Sequence, residues 1–68
     1  MTQYFHIVQV HPVEAGKPNT YKVKREEEFT NDWGAQEFIE DFNKNHDTLQ
    51  AVYVGKVNDE TGELIWPK

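Results

Sequence analysis

The chain contains no cysteine and no serine, and both absences restrict its chemistry. Without cysteine it has no disulfides and no thiolate ligands for a metal, and the sequence fits a reducing compartment. Serine and cysteine are also nucleophiles of covalent catalysis, and the threonines that remain lie in predicted turns or at strand ends without an adjacent general base. We therefore expect a protein that is not an enzyme.

Long apolar runs and glycine-rich loops are missing as well. No apolar stretch approaches the length of about 20 residues that spans a bilayer. The four glycines are too dispersed for a phosphate-binding loop. His6 and His11 are an odd number of residues apart on one predicted strand, so they point to opposite faces and cannot easily share a metal. These features predict a cytoplasmic protein with no cofactor and no metal.

What is present is a folding composition. The 68 residues are 13% aromatic and 28% charged, which suits one small domain, 1–68, with a modest core. The formal charge of -5 keeps such a domain soluble and disfavours binding to a phosphate backbone. An acidic surface would attract a basic partner.

The order of hydrophobic patterns predicts the architecture. Residues 35–42 carry an apolar stripe at helix spacing. Strand patterns occupy 4–10, 20–29, 48–57 and 63–66. This order predicts a small α+β domain of the form β-β-α-β-β, in which one helix packs on one face of a mainly antiparallel four-stranded sheet.

Local signals mark the ends of these elements. Three residues suit the helix N-cap: Thr30, Asn31 and Asp32. Asn45 suits a left-handed helix terminator, and His46 suits a capping role at the same end. Gly55 indicates a bulge or a close backbone contact in the third strand. A turn is predicted over 59–62, with a positive φ at Gly62.

The core is expected between the helix stripe and the second strand. Phe38, Ile39 and Phe42 should be buried together with Tyr21 and Val23. In the third strand, alternation predicts one shared face for four residues: Leu49, Ala51, Tyr53 and Val57.

The first and third strands are apolar on both faces, so the sheet face away from the helix should be semi-apolar. Either Phe5 and Ile7 point to that face, or Tyr4, Val8 and Val10 do. Such a patch indicates a homodimer or a partner protein. Alternatively, the loop over 13–20 or the Trp66 side chain covers it.

Trp33 has two interpretations. The favoured one is that it tucks against the sheet edge near Phe29 or Tyr53. The other makes it an exposed aromatic anchor on the outer helix face, where Glu40 and Lys44 also form a favourable pair. The candidate partner-binding residues are Trp33, Glu37, Glu40 and Asp41.

Three functions follow from these patterns. The leading hypothesis is a non-enzymatic protein-interaction module that occupies a basic surface of its partner. In size, acidity and its one predicted helix the chain resembles the small inhibitor proteins of phages and mobile elements, although no motif carries that likeness. One alternative is a nucleic-acid-binding domain that uses Tyr21, Lys22, Lys24 and Arg25. The other is a subunit of an oligomeric enzyme, whose site would need residues from two chains.

Overall fold

The computed structural model describes residues 3–66, with only the backbone described at 65 and 66. The elements follow in the order β1 (Tyr4–Glu14), β2 (Lys17–Pro18), β3 (Arg25–Phe29), α1 (Asp32–Asn45), β4 (Leu49–Asn58) and β5 (Leu64–Trp66). This is the predicted α+β domain, one helix on an antiparallel sheet, with the short β2 added. No helix within the described residues is long and apolar enough to cross a membrane.

Strand β1 lies at the centre of the sheet. It pairs with β4 along one edge and with β3 and then β2 along the other, while β5 pairs with β4. The amides of Lys24 and Asn19 donate to the carbonyl oxygens of Val10 and Pro12, each over 2.8 Å. Because alternate residues of a strand direct their carbonyls to the same edge, β2 and β3 occupy successive parts of one edge of β1.

The predicted turn region over 13–20 is mostly a hairpin. Glu14 pairs with Lys17, so Ala15 and Gly16 form a two-residue loop. Their φ angles are +54° and +79°. Two positive φ values identify the type I′ turn, whose twist matches that of the strands it joins. β1 is therefore longer than its apolar pattern indicated.

The second predicted strand begins five residues late, at Arg25 rather than at residue 20. The Asn19 side chain accepts from the Tyr21 amide over 3.0 Å, and the Asn19 carbonyl accepts from the Lys22 amide over 3.1 Å. This local turn takes the chain out of the ladder. Tyr21 is 97% exposed and Val23 50% exposed, so the prediction that they join the core is wrong.

The helix stripe does pack on the sheet, as predicted. The core is centred on four buried apolar residues: Val8, Val10, Ala35 and Ala51. Phe38, Ile39 and Phe42 are half-buried against them. The ring of Phe38 lies 5.3 Å from that of Phe29, measured between centroids, so β3 contributes an aromatic partner in place of Tyr21.

Strand β4 contains the bulge that Gly55 indicated. Ile7 pairs with Gly55, whereas the next residue, Val8, pairs with Tyr53, so Val54 has no opposite residue in β1. One extra residue in a strand reverses the alternation of side chains beyond it.

The bulge corrects the expected face of Val57. Val57 pairs with Phe5, and both residues face away from the helix. Ala51 instead belongs to the core on the helix side, with Tyr53 packed against it. The prediction that Val57 shares their face is wrong, because it assumed strict alternation along the whole strand.

The two ends of the helix are held differently. Asn31 is the N-cap, and its side-chain oxygen accepts from the Gly34 amide over 2.6 Å. At the other end the chain leaves in an extended conformation at His46, with φ of -133°, so the left-handed terminator predicted at Asn45 is wrong. The ring of His46 stacks on Phe42, and its Nδ1 lies 2.9 Å from the Phe42 carbonyl oxygen, which confirms the capping role.

The turn between β4 and β5 is confirmed. Gly62 has a φ of +72°, and its amide donates to the Asn58 carbonyl over 2.8 Å. The Asn58 side-chain oxygen also accepts from the amides of Glu60 and Thr61.

The sheet face away from the helix carries the apolar side chains of Phe5, Ile7 and Val52. The 13–20 segment does not cover them, since most of it pairs with the sheet edge as a hairpin. His11 is covered at one end, where its Nδ1 lies 2.7 Å from the Lys22 carbonyl oxygen. The Trp66 side chain lies outside the described side chains.

Candidate partner-binding surface

The four residues chosen from the sequence lie together on the outer face of α1. Helical spacing at i, i+4, i+7 and i+8 brings them to one side of the helix. They are Trp33, Glu37, Glu40 and Asp41, and all four are exposed.

Trp33 is 74% exposed, so the favoured expectation that it tucks against the sheet is wrong. With Asn31 as the N-cap, Gly34 is the residue that faces β3. A Cβ on Gly34 would lie 3.7 Å from Cδ1 of Phe29 and 3.0 Å from Oδ1 of Asn31. The start of the helix thus meets the strand at Gly34, where a Cβ would make an ordinary contact with Phe29, and Trp33, one residue earlier, points to solvent.

Shallow grooves run along this face of the helix. Glu37 borders three of them. Trp33 and Glu40 line the groove near the start of the helix, while Phe38 and Asp41 line the one on the side of β3. Glu37 is therefore at the centre of the surface.

The carboxylates of the outer face have no cationic partner among the described residues. The two ion pairs among the described residues join Lys22 to Glu14 and Arg25 to Glu27, and both lie away from this face, in the region of β2 and β3. The pair expected between Glu40 and Lys44 is not formed. The negative charge of this face is consequently available to a partner.

The basic cluster is partly neutralised. Lys22 is 3.3 Å from a carboxylate oxygen of Glu14. Hydrogen bonds from Asn19 and then from Lys22, together with the charge of Lys22, lower the pKa of Glu14 below its ordinary value. Arg25 is paired with Glu27 in the same strand. Less positive charge is exposed here than the sequence indicated.

His6 and Tyr53 form a hydrogen-bonded pair that alternation alone does not predict. The distance from Nδ1 of His6 to the Tyr53 hydroxyl is 2.8 Å. Burial raises the pKa of Tyr53 above its ordinary value, and the negative charge of Asp32 adds to this effect. His6 lies on the helix side of β1 and His11 on the other side, as expected. Within residues 3–66 no group of three or more potential ligands could hold a metal ion.

Asn43 holds the helix to the outer edge of β4. Its side-chain NH₂ donates to the Ala51 carbonyl over 3.2 Å, and its side-chain oxygen accepts from the Ala51 amide over 2.7 Å. The side-chain amide thus takes the place of a neighbouring strand. We refer to this pair of bonds as the Asn43 clamp; no motif in the sequence announces it.

No family model, curated protein or solved structure matches this chain.

Proposed function

We propose that this protein is a non-enzymatic interaction module that binds a basic surface of a partner protein through the outer face of α1, and that it acts as an inhibitor by occupying that surface. The exposed Trp33 carries this proposal. A ring that is 74% exposed adds little to the fold, whereas large aromatic side chains are enriched at the centres of protein interfaces.

The neighbouring carboxylates supply the second half of the interaction. Glu37, Glu40 and Asp41 lie within little more than one helical turn and have no cationic partner among the described residues. Such a patch accelerates association with a basic surface and makes it sensitive to salt. Trp33 adds desolvated contact area that charges alone cannot provide.

We further propose a cytoplasmic location. The support is compositional, since a chain without cysteine needs no oxidising compartment to fold.

The experiment compares capture of proteins from the native host on three immobilised samples. The first is the parent and the second carries Glu37→Lys with Glu40→Lys. The third carries Asp59→Lys with Glu60→Lys, which makes the same charge change in the turn between β4 and β5. We expect basic proteins that bind the parent and the turn variant but not the helix variant, identified by mass spectrometry.

Trp33→Ala completes the comparison without changing charge. Because the side chain is exposed, it should change the free energy of unfolding by less than about 0.5 kcal/mol, yet weaken capture. Equal capture by the parent, the helix variant and Trp33→Ala would contradict a binding role for this face.

Tyr21 favours one second candidate, nucleic-acid binding. Its ring is 97% exposed, and it directly precedes the basic residues Lys22 and Lys24 in the loop before β3. Aromatic rings beside cations stack on unpaired bases. Salt-sensitive binding to single-stranded DNA that is lost in Tyr21→Ala, and kept in the helix variant, would favour this function over the first.

A further inference from the structure

The outer edge of β3 is a main-chain edge without a partner among the described residues. Val10, Val8 and His6 of β1 direct their peptide groups towards β3 and pair with Arg25, Glu27 and Phe29 respectively. In an antiparallel ladder the residues between them, Glu26 and Glu28, direct their N–H and C=O groups outward. No other described residue makes a main-chain hydrogen bond to these outward groups of Glu26 and Glu28.

The opposite edge of the sheet, on β4, is covered against the addition of another strand. The Asn43 clamp occupies the outward peptide groups of Ala51, and β5 pairs with β4 at Lys56 and Val57. Natural sheets usually cover or interrupt such edges, because an unpaired edge recruits another strand. Within residues 3–66, β3 lacks both devices.

Carboxylates flank the β3 edge on both faces of the sheet. Glu26 and Glu28 project on the face away from the helix. On the helix side, Glu37 and Asp41 line a groove together with Phe38, whose ring contacts Phe29 of β3. Arg25 also projects on the helix side, over the Phe38 ring. The negative charge that an incoming strand meets therefore comes mainly from Glu26 and Glu28.

This charge decides which occupant fits. A second copy paired antiparallel through the same edge would set glutamate against glutamate, and like charges directly opposite one another are unfavourable. An extended segment with lysine or arginine at every second position would instead set a cation beside Glu26 and Glu28.

We propose that the outer edge of β3 binds an extended basic segment of the partner protein as an added strand, with cations on alternate residues. Main-chain hydrogen bonds provide the affinity, and the flanking carboxylates select the basic pattern. The inference rests on the proposed function, because it takes the partner to be a basic protein and names the segment that this protein contributes.

The test uses short synthetic peptides in which lysine alternates with threonine. Two further peptides carry N-methyl groups, one on every lysine amide and the other on every threonine amide. An added strand bonds through one set of its amides only, so one methylated peptide should bind at least about tenfold more weakly, since a lost hydrogen bond contributes about that much, and the other should retain affinity. Bound peptide should also slow hydrogen exchange at the Glu26 and Glu28 amides.

Matched variants test the role of charge. Glu28→Lys should weaken peptide binding about threefold or more, while Glu60→Lys, with the same change in net charge, should have a smaller effect. Equal affinity for both methylated peptides, or no protection of the Glu26 and Glu28 amides, would overturn strand addition.

The two proposals fail separately. The peptides contain no partner surface for Trp33, so failure of peptide binding leaves the capture experiment on α1 unaffected. Capture that is equally strong for the parent and the helix variants would overturn the proposed function. The peptide result would still decide whether β3 binds an added strand.

Discussion

At the scale of single residues, Ala15 has an unfavourable backbone conformation. Among the described residues it is the only one other than glycine with a positive φ, which is +54°. A Cβ makes this left-handed conformation unfavourable, yet the type I′ turn to β2 requires it. Gly16 meets the same requirement without cost, because it has no side chain.

Ala15→Asn should therefore stabilise the protein. Asparagine tolerates the left-handed conformation, and Asn-Gly is a preferred pair in this turn. We expect the free energy of unfolding in urea to rise by about 1 kcal/mol. Gly16→Ala, which adds a Cβ at φ of +79°, should lower it. An Ala15→Asn protein no more stable than the parent would show that this turn does not limit stability.

At the scale of elements, the helix is fixed to the sheet by more than its apolar stripe. The stripe packs on β1, β3 and β4, and the Asn43 clamp adds two hydrogen bonds to the edge of β4. The clamp satisfies the peptide groups of the buried Ala51 and also closes an edge that another strand could join.

Asn43→Ala should weaken the fold and favour self-association. Loss of both bonds at a half-buried site should cost about 1–3 kcal/mol in free energy of unfolding. Sedimentation should also show more self-association than in the parent, because the peptide groups of Ala51 are uncovered.

Asn45→Ala is the matched control for this prediction. Asn45 is exposed at the end of the same helix and donates only to the Asp41 carbonyl, over 2.8 Å, and to its carboxylate. Its replacement should have little effect on either measurement. If the two alanine variants behave alike, the clamp is not a stabilising element.

At the scale of the whole molecule, the protein is elongated, and its sheet has two different faces. The extents of the molecule are 41 × 23 × 18 Å. The helix covers one face of the sheet. The other carries Phe5 and Val52, which are half-buried, and Ile7, which is 8% exposed, with Leu64 50% exposed at its margin. A small domain with such a face is expected to bury it against a second copy.

Sedimentation velocity over a range of concentrations tests this dimer. We expect the parent to associate as concentration rises and Val52→Lys, on the apolar face, to remain monomeric. Gln36→Lys makes the same charge change on the exposed helix surface and should associate like the parent. Circular dichroism checks that both variants fold. A parent protein that stays monomeric at the highest concentration would contradict a homodimer through the apolar face.

Sequence alone determined the features that depend on neighbouring residues. The helix stripe, an N-cap among residues 30–32 and the turn at Gly62 follow from local spacing and local backbone preference, whereas only the structure identified Asn31 as the cap. The same local geometry brought Glu37 and Glu40 to one face of α1, since helical periodicity requires no knowledge of the rest of the fold.

Tertiary structure decided the features that depend on register between distant strands. The bulge at Val54 turned Val57 to the opposite face, and the turn at Asn19 removed Tyr21 from the core. Trp33 became exposed because Gly34 meets β3 in its place. Each outcome depends on which strand lies beside which and in what alignment, and a single misplaced residue in an antiparallel pair reverses every side chain that follows.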